Sequence, residues 1–118
     1  MSSFFVIDDS NVARRFIKKM LVDLKHEVVC EASDGKNALS IYVKERPDFI
    51  TIDMEMPIID GITVAHTLRK ADKNAKIIMI TSIVDKKRTI QALNSGVDIV
   101  LLKPITTKQL EQAINSLK

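Results

Sequence analysis

The chain has 118 residues, 46% of them hydrophobic, 28% charged and only 4% aromatic, with three glycines, three prolines and no tryptophan. That suits one domain (residues 1–118) with an aliphatic core, and it excludes a disordered or low-complexity segment and an aromatic platform for single-stranded nucleic acid. One cysteine (Cys30) excludes an internal disulfide framework, two histidines (His26, His66) are too few beside it for a structural zinc site, and a dispersed net charge of +3 does not make nucleic acid the expected partner.

The opening MSSFFVIDDS reaches acid within a few residues, unlike a signal peptide, and no apolar run approaches the ~18 residues of a membrane span. A soluble, cytoplasmic protein in a reducing compartment is expected. The run FFVI (residues 4–7) is too short for a helix and predicts a strand buried on both faces. Val12, Phe16, Ile17, Met20, Leu21 and Leu24 then share one helical face, with Arg14, Arg15, Lys18 and Lys19 opposite and Ser10 or Asp9 able to cap. VVCEA (28–32) predicts a second strand, which Glu31 assigns to a sheet edge or to one wetter face. Ala38, Leu39, Tyr42 and Val43 mark a second helix, and Pro47 precedes a third strand, FITI (49–52). A third helix (Ile62, Ala65, Leu68) leads to IIMI (77–80), and a fourth (Ile90, Leu93) ends at Asn94, Ser95 and Gly96. IVLL (99–102) and a fifth helix (Leu110, Ala113, Ile114, Leu117) complete the pattern.

Strict alternation of strand and helix predicts an α/β fold, doubly wound, with a five-stranded open parallel sheet and right-handed crossovers. Ligands of such sheets bind beyond the carboxyl ends of the strands. There the chain places Asp8 and Asp9, Asp53, Thr81 and Ser82, and Lys103 before Pro104. Each alone reads as a cap, a turn acid or a solvated side chain. Together, three carboxylates, a hydroxyl and an ammonium on one rim call for a hard cation, and oxygen-only ligands favour Mg²⁺. A carboxylate beside Mg²⁺ can attack phosphorus while Lys and Ser/Thr bind the other oxygens.

The segments IDDSN (7–11), DFITIDMEMPIIDG (48–61), IIMITS (77–82) and LLKP (101–104) resemble the response regulator receiver family, the CheY-like phosphoacceptor domains of two-component signalling. The resemblance implies a flavodoxin-like (βα)₅ fold with strand order 2-1-3-4-5. It implies Asp53 as phosphoacceptor, Asp8 and Asp9 as the acidic pair holding Mg²⁺ with Asp53, Glu55 as donor of a backbone carbonyl to the metal, and Thr81 and Lys103 as completing the site. The donor would be the phosphohistidine of a sensor histidine kinase, and the chain would catalyse only its own phosphorylation and dephosphorylation. The output would be a monomer's reshaped surface on the fourth helix, fifth strand and fifth helix, read by a protein target of chemotaxis type, with no direct nucleic-acid or membrane contact. A receiver belonging to a longer, DNA-binding regulator and a phosphorelay intermediate use the same residues. A cis Lys103–Pro104 peptide is also implied. Val100 stands where the family usually carries a switching Tyr or Phe, and Ile83, two residues past Thr81, offers no hydrogen bond to an attacking water.

A small phosphohydrolase of the haloacid-dehalogenase type also follows an apolar strand with a nucleophilic Asp, but it normally has a second Asp where Glu55 stands and a longer chain. An interaction module that has lost phosphorylation conflicts with the intact acidic residues, Thr81 and Lys103. A flavodoxin would need a Ser/Thr/Gly-rich phosphate loop after the first strand. Lys86, Lys87 and Arg88 read either as a docking patch for an acidic target or as a solvated face. The basic face of the first helix reads either as kinase docking or as an ordinary polar face. Cys30, Tyr42, Met54 and Met56 read as core or gap-filling residues.

Overall fold

The computed structural model describes residues 1–82 and 85–118, so the expectation for Ile83 lies outside the described residues. The elements alternate as β1 (Ser3–Ile7), α1 (Asn11–Asp23), β2 (Glu27–Ala32), α2 (Ala38–Glu45), β3 (Phe49–Asp53), α3 (Gly61–Ala71), β4 (Ile77–Thr81), α4 (Lys86–Asn94), β5 (Ile99–Leu102) and α5 (Thr107–Leu117). All pairings are parallel, in the order β2-β1-β3-β4-β5.

Side chains alternate across a strand, so each strand feeds two cores. Phe5, Ile7, Ile50, Ile52, Ile77 and Met79 point to one side, where Ala38, Tyr42, Val64, Ala65, Leu68 and Ala92 of α2, α3 and α4 cover them. Phe4, Val6, Phe49, Ile78 and Ile80 point to the other, under Ile17 and Leu21 of α1 and Leu110, Ala113 and Ile114 of α5. The helix starts follow side-chain chemistry: Ser10, Asp60 and Asp85 each accept a hydrogen bond from a first-turn N–H, and Thr106 forms a reciprocal capping box with Gln109.

The strand bearing Glu31 lies at the sheet edge, one of the two placements that the sequence allows. Glu31 projects towards α1 and takes Lys18 at 2.7 Å and Arg14 at 3.2 Å, so part of the basic face of α1 is committed within the molecule. Cys30 packs partly buried against the core, and burial together with the charge of Glu45 pushes its thiol up to about 11. The expected apolar stripes are narrower than the sequence suggests. On α1, Ile17 and Leu21 carry the packing while Val12 and Phe16 are each 62% exposed, because their row lies about 100° around the helix from the row facing the sheet. On α4, Ala92 is buried and Ile90 and Leu93 are half-exposed, and on α2, Leu39 and Val43 face outward.

Ile58, between β3 and α3, holds φ at +71° with its side chain 94% exposed. A β-branched residue in the left-handed region costs roughly 1–2 kcal/mol, and this one recovers nothing through burial. Ile58→Gly is expected to stabilise the fold by about 0.5 kcal/mol, because the strain relieved exceeds the extra chain entropy that glycine loses on folding, seen as a slightly higher urea midpoint at unchanged m-value. A clearly lower midpoint would mean that the Ile58 side chain contributes in the folded state.

Candidate functional site at the carboxyl rim of the sheet

Register assembles the rim. Ile7 pairs with Ile52, Asp53 with Ile80 and Thr81 with Leu102, so the residues ending or following β1, β3, β4 and β5 come level with one another. Carboxylate oxygens of Asp8, Asp9 and Asp53 lie within 4.8 Å of one another. Lys103 reaches in from β5 to place Nζ 3.2 Å from Asp53 Oδ1, and its own N–H donates to the Thr81 carbonyl at 2.8 Å. The Lys103–Pro104 peptide is cis.

Burial gives these groups their character. Asp53 is 4% exposed and Asp8 1%, whereas Asp9 is open to solvent. Desolvation, helped by a hydrogen bond with Glu55 and by the charge of Asp8, pushes the Asp53 carboxyl up to about 7 against the opposing pull of Lys103. Asp8 is also raised, chiefly by burial, although the Ser10 N–H and Lys103 work the other way. Its Oδ1 accepts from that N–H at 2.9 Å, while Oδ2 is buried with no hydrogen-bond partner among the described residues. An orphaned, desolvated oxygen on a carboxylate grouped with two further carboxylates fits an oxygen-binding divalent cation, and the donor set suits Mg²⁺.

Glu55 behaves in a way that the sequence does not announce. Its Oε1 accepts from Thr81 Oγ1 at 2.5 Å, from the Ser82 N–H at 3.1 Å and from Ser82 Oγ at 3.4 Å. Burial raises its pKa, but the hydrogen bonds with Thr81, Asp53 and Ser82 outweigh that effect and leave it below the ordinary glutamate value. Met54 and Met56 on either side are buried in the core and hold the loop down. Arg14 is a second unexpected neighbour, since one guanidinium nitrogen donates to the Asp8 carbonyl at 2.5 Å. Beside the rim, Phe16, Ile17, Met20, Ile80, Pro104 and Ile105 line an apolar recess of about 470 Å³ that opens next to Lys103.

The rim combines a buried carboxylate, an ammonium within ion-pair reach of it and an acidic cradle, on a doubly wound sheet. Comparison with known proteins agrees, because residues 4–115 match the response regulator receiver domain model. The chain belongs to the response regulator receiver family. This receiver is 34% identical over 110 residues to the chemotaxis protein CheY of Bacillus subtilis, covering 93% of this chain and 92% of that one. It is 38% identical over 111 residues to a probable transcriptional regulator, ycf27, of Porphyridium aerugineum, covering 94% of the receiver and only 45% of the regulator. A solved CheX-CheY-BeF3-Mg complex from Borrelia burgdorferi contains a chain that superposes with a TM-score of 0.92 at 25% identity, covering 98% of this chain and 88% of the other. Receivers are signalling phosphoacceptors rather than classical enzymes, and the five parallel strands in the order β2-β1-β3-β4-β5 are their flavodoxin-like fold.

Proposed function

We propose that residues 1–118 act as one receiver domain that accepts a phosphoryl group on Asp53 from the phosphohistidine of a sensor histidine kinase. The observation that carries this reading is the buried Asp53 carboxylate, with Lys103 Nζ at 3.2 Å and the Asp8 and Asp9 carboxylates beside it. In the transfer, a bond forms between an Asp53 oxygen and phosphorus as the phosphorus–nitrogen bond breaks, and the electron pair leaves with the imidazole nitrogen. Lys103 pairs with a phosphoryl oxygen, and the Thr81 hydroxyl on the neighbouring strand donates to another. Asp8, Asp9, Asp53 and the Glu55 backbone carbonyl would hold Mg²⁺, which when bound neutralises charge on the phosphoryl oxygens. The apolar recess and the exposed Phe16 give the kinase a seat within reach of Asp53.

Phosphorylation adds negative charge and new acceptor oxygens to the rim, which draws Thr81 inward and biases the surface formed by α4, β5 and α5. Ile90, Leu93 and Leu102 are exposed there, and with the neighbouring Lys86 and Lys87 they offer a protein target an apolar patch bordered by positive charge. A cytoplasmic, chemotaxis-type output is favoured by the IDDSNVARR segment and by similarity to CheY. Similarity to ycf27 supports a second reading, a receiver that controls a longer transcriptional regulator, in which the same Asp53 chemistry operates.

Incubation with acetyl phosphate and Mg²⁺, followed by intact-mass measurement, is expected to show a gain of one phosphoryl group. The gain should be abolished by Asp53→Asn and by EDTA. Labelling that survives Asp53→Asn would reject Asp53 as acceptor, and release of phosphate over many turnovers would favour a phosphohydrolase.

A further inference from the structure

The Glu55 carboxylate occupies the hydrogen-bond donors that a phosphoryl group on Asp53 would need. One oxygen, Oε1, gathers the Thr81 hydroxyl at 2.5 Å, the Ser82 N–H at 3.1 Å and the Ser82 hydroxyl at 3.4 Å. Thr81 ends β4 directly beside Asp53, which pairs in register with Ile80, and is fully buried. A threonine hydroxyl carries one proton, so it serves one acceptor at a time. Glu55 is also only two residues from Asp53, and its N–H lies 3.4 Å from Asp53 Oδ1. Added phosphoryl charge on Asp53 therefore develops close to a carboxylate already committed to the same donors.

We propose that Glu55 is a positioning residue that acts as a clasp: its side chain holds Thr81 and Ser82 in the unphosphorylated arrangement and competes with the phosphoryl group for them. The inference rests on the phosphoacceptor reading of Asp53 and specifies how that site is restrained. The two arrangements exclude each other through the single Thr81 proton, so the clasp sets the resting position of the β4 rim. Release of the clasp frees the Glu55 side chain and repositions the start of the segment that leads from β4 into α4. Phosphorylation signals in this chain by exchanging one acceptor for another at Thr81.

The test is binding of beryllofluoride, a phosphoryl mimic, at saturating Mg²⁺, followed by titration of the Thr81 and Ser82 amide resonances. Glu55→Gln keeps the side-chain shape and removes the charge, and Glu55→Ala removes the clasp entirely. Glu55→Ala is expected to bind the mimic about tenfold more tightly than the parent chain, and Glu55→Gln, whose amide oxygen still accepts from Thr81 and Ser82, to gain less. In the mimic-free state, the Thr81 and Ser82 amides of Glu55→Ala should already be displaced towards the bound positions. Repeating Glu55→Ala in a Thr81→Val background separates the clasp from simple charge repulsion, because a clasp loses most of its effect there. Equal or weaker binding by Glu55→Ala, an equal gain in Glu55→Gln, or a gain undiminished in the Thr81→Val background would overturn the clasp. A parent chain that takes up neither beryllofluoride nor acetyl phosphate would overturn the phosphoacceptor reading itself. Thermal melts of each variant confirm that the comparison is made between folded proteins.

Discussion

Gly61→Ala is expected to destabilise this receiver by about 3 kcal/mol or more, a large share of the roughly 5–15 kcal/mol that holds a domain of this size together. A Cβ on Gly61 would lie 2.3 Å from the Asp53 carbonyl oxygen and 2.8 Å from the Met54 Cα. Both are backbone atoms, which cannot swing aside as the end of a side chain can. The close approach is held in place by the Gly61 N–H, which donates to the Met54 carbonyl at 2.9 Å, and by Asp60, which caps α3 through the Thr63 N–H. The first turn of α3 thus rests directly on the strand end that carries Asp53. Urea unfolding measures the cost, and acetyl-phosphate labelling at low temperature shows whether the surviving folded fraction has a displaced Asp53. A midpoint within error of the parent would mean that the β3–α3 loop can move as a unit, contrary to the packing described.

Arg69→Ala is expected to cost about 2–3 kcal/mol, read as a fall of roughly 8–12 °C in melting temperature. The guanidinium donates to the Gly96 carbonyl at 2.8 Å, to the Lys73 carbonyl at 2.7 Å and to the Asp98 carboxylate at 2.9 Å. Asp98 in turn accepts from the Ile77 N–H at 2.8 Å, so one side chain ties the end of α3 to the start of β4 and to the turn between α4 and β5. Gly96 makes room for it: with φ at +107°, it turns the chain where a Cβ would meet Arg69 Cγ at 2.6 Å. Because the pair is only partly buried, its worth lies more in the two backbone carbonyls than in the charge alone. Arg69→Lys is accordingly expected to recover less than half of the loss, since an ammonium cannot satisfy three divergent acceptors as a planar guanidinium does. Full recovery by lysine would show that charge alone matters.

The strands were legible because buried parallel strands are written as short β-branched runs, and Glu31 narrowed β2 to a sheet edge or a strand with one wetter face, the first of which the fold adopts. The rim was legible because Asp8, Asp53, Thr81 and Lys103 each follow such a run directly. Strand order came from family resemblance, since alternation alone does not fix which neighbours pair. Side-chain direction in loops was the harder matter. Whether Glu55 turns to Thr81 depends on the path of the loop between Met54 and Met56, which is set by burial of both methionines. Arg69 was invisible for a related reason, because the Gly96 carbonyl and the Asp98 carboxylate are distant in sequence and only the fold brings them to it. Phe16 and Leu93 misled because a helix lying on a sheet buries a narrower stripe than their hydrophobicity suggests.

The division of the interior by the sheet has an evolutionary consequence. The helix beside the apolar recess belongs to one core, and the helix at the start of the exposed Ile90–Leu93 face belongs to the other, with β-strand backbone as the shared wall. Drift in the packing beneath α4 is therefore absorbed without repacking α1. The fifth helix shares its core with α1 and has no such freedom, so of the two helices that flank β5 only α4 can vary independently of the recess.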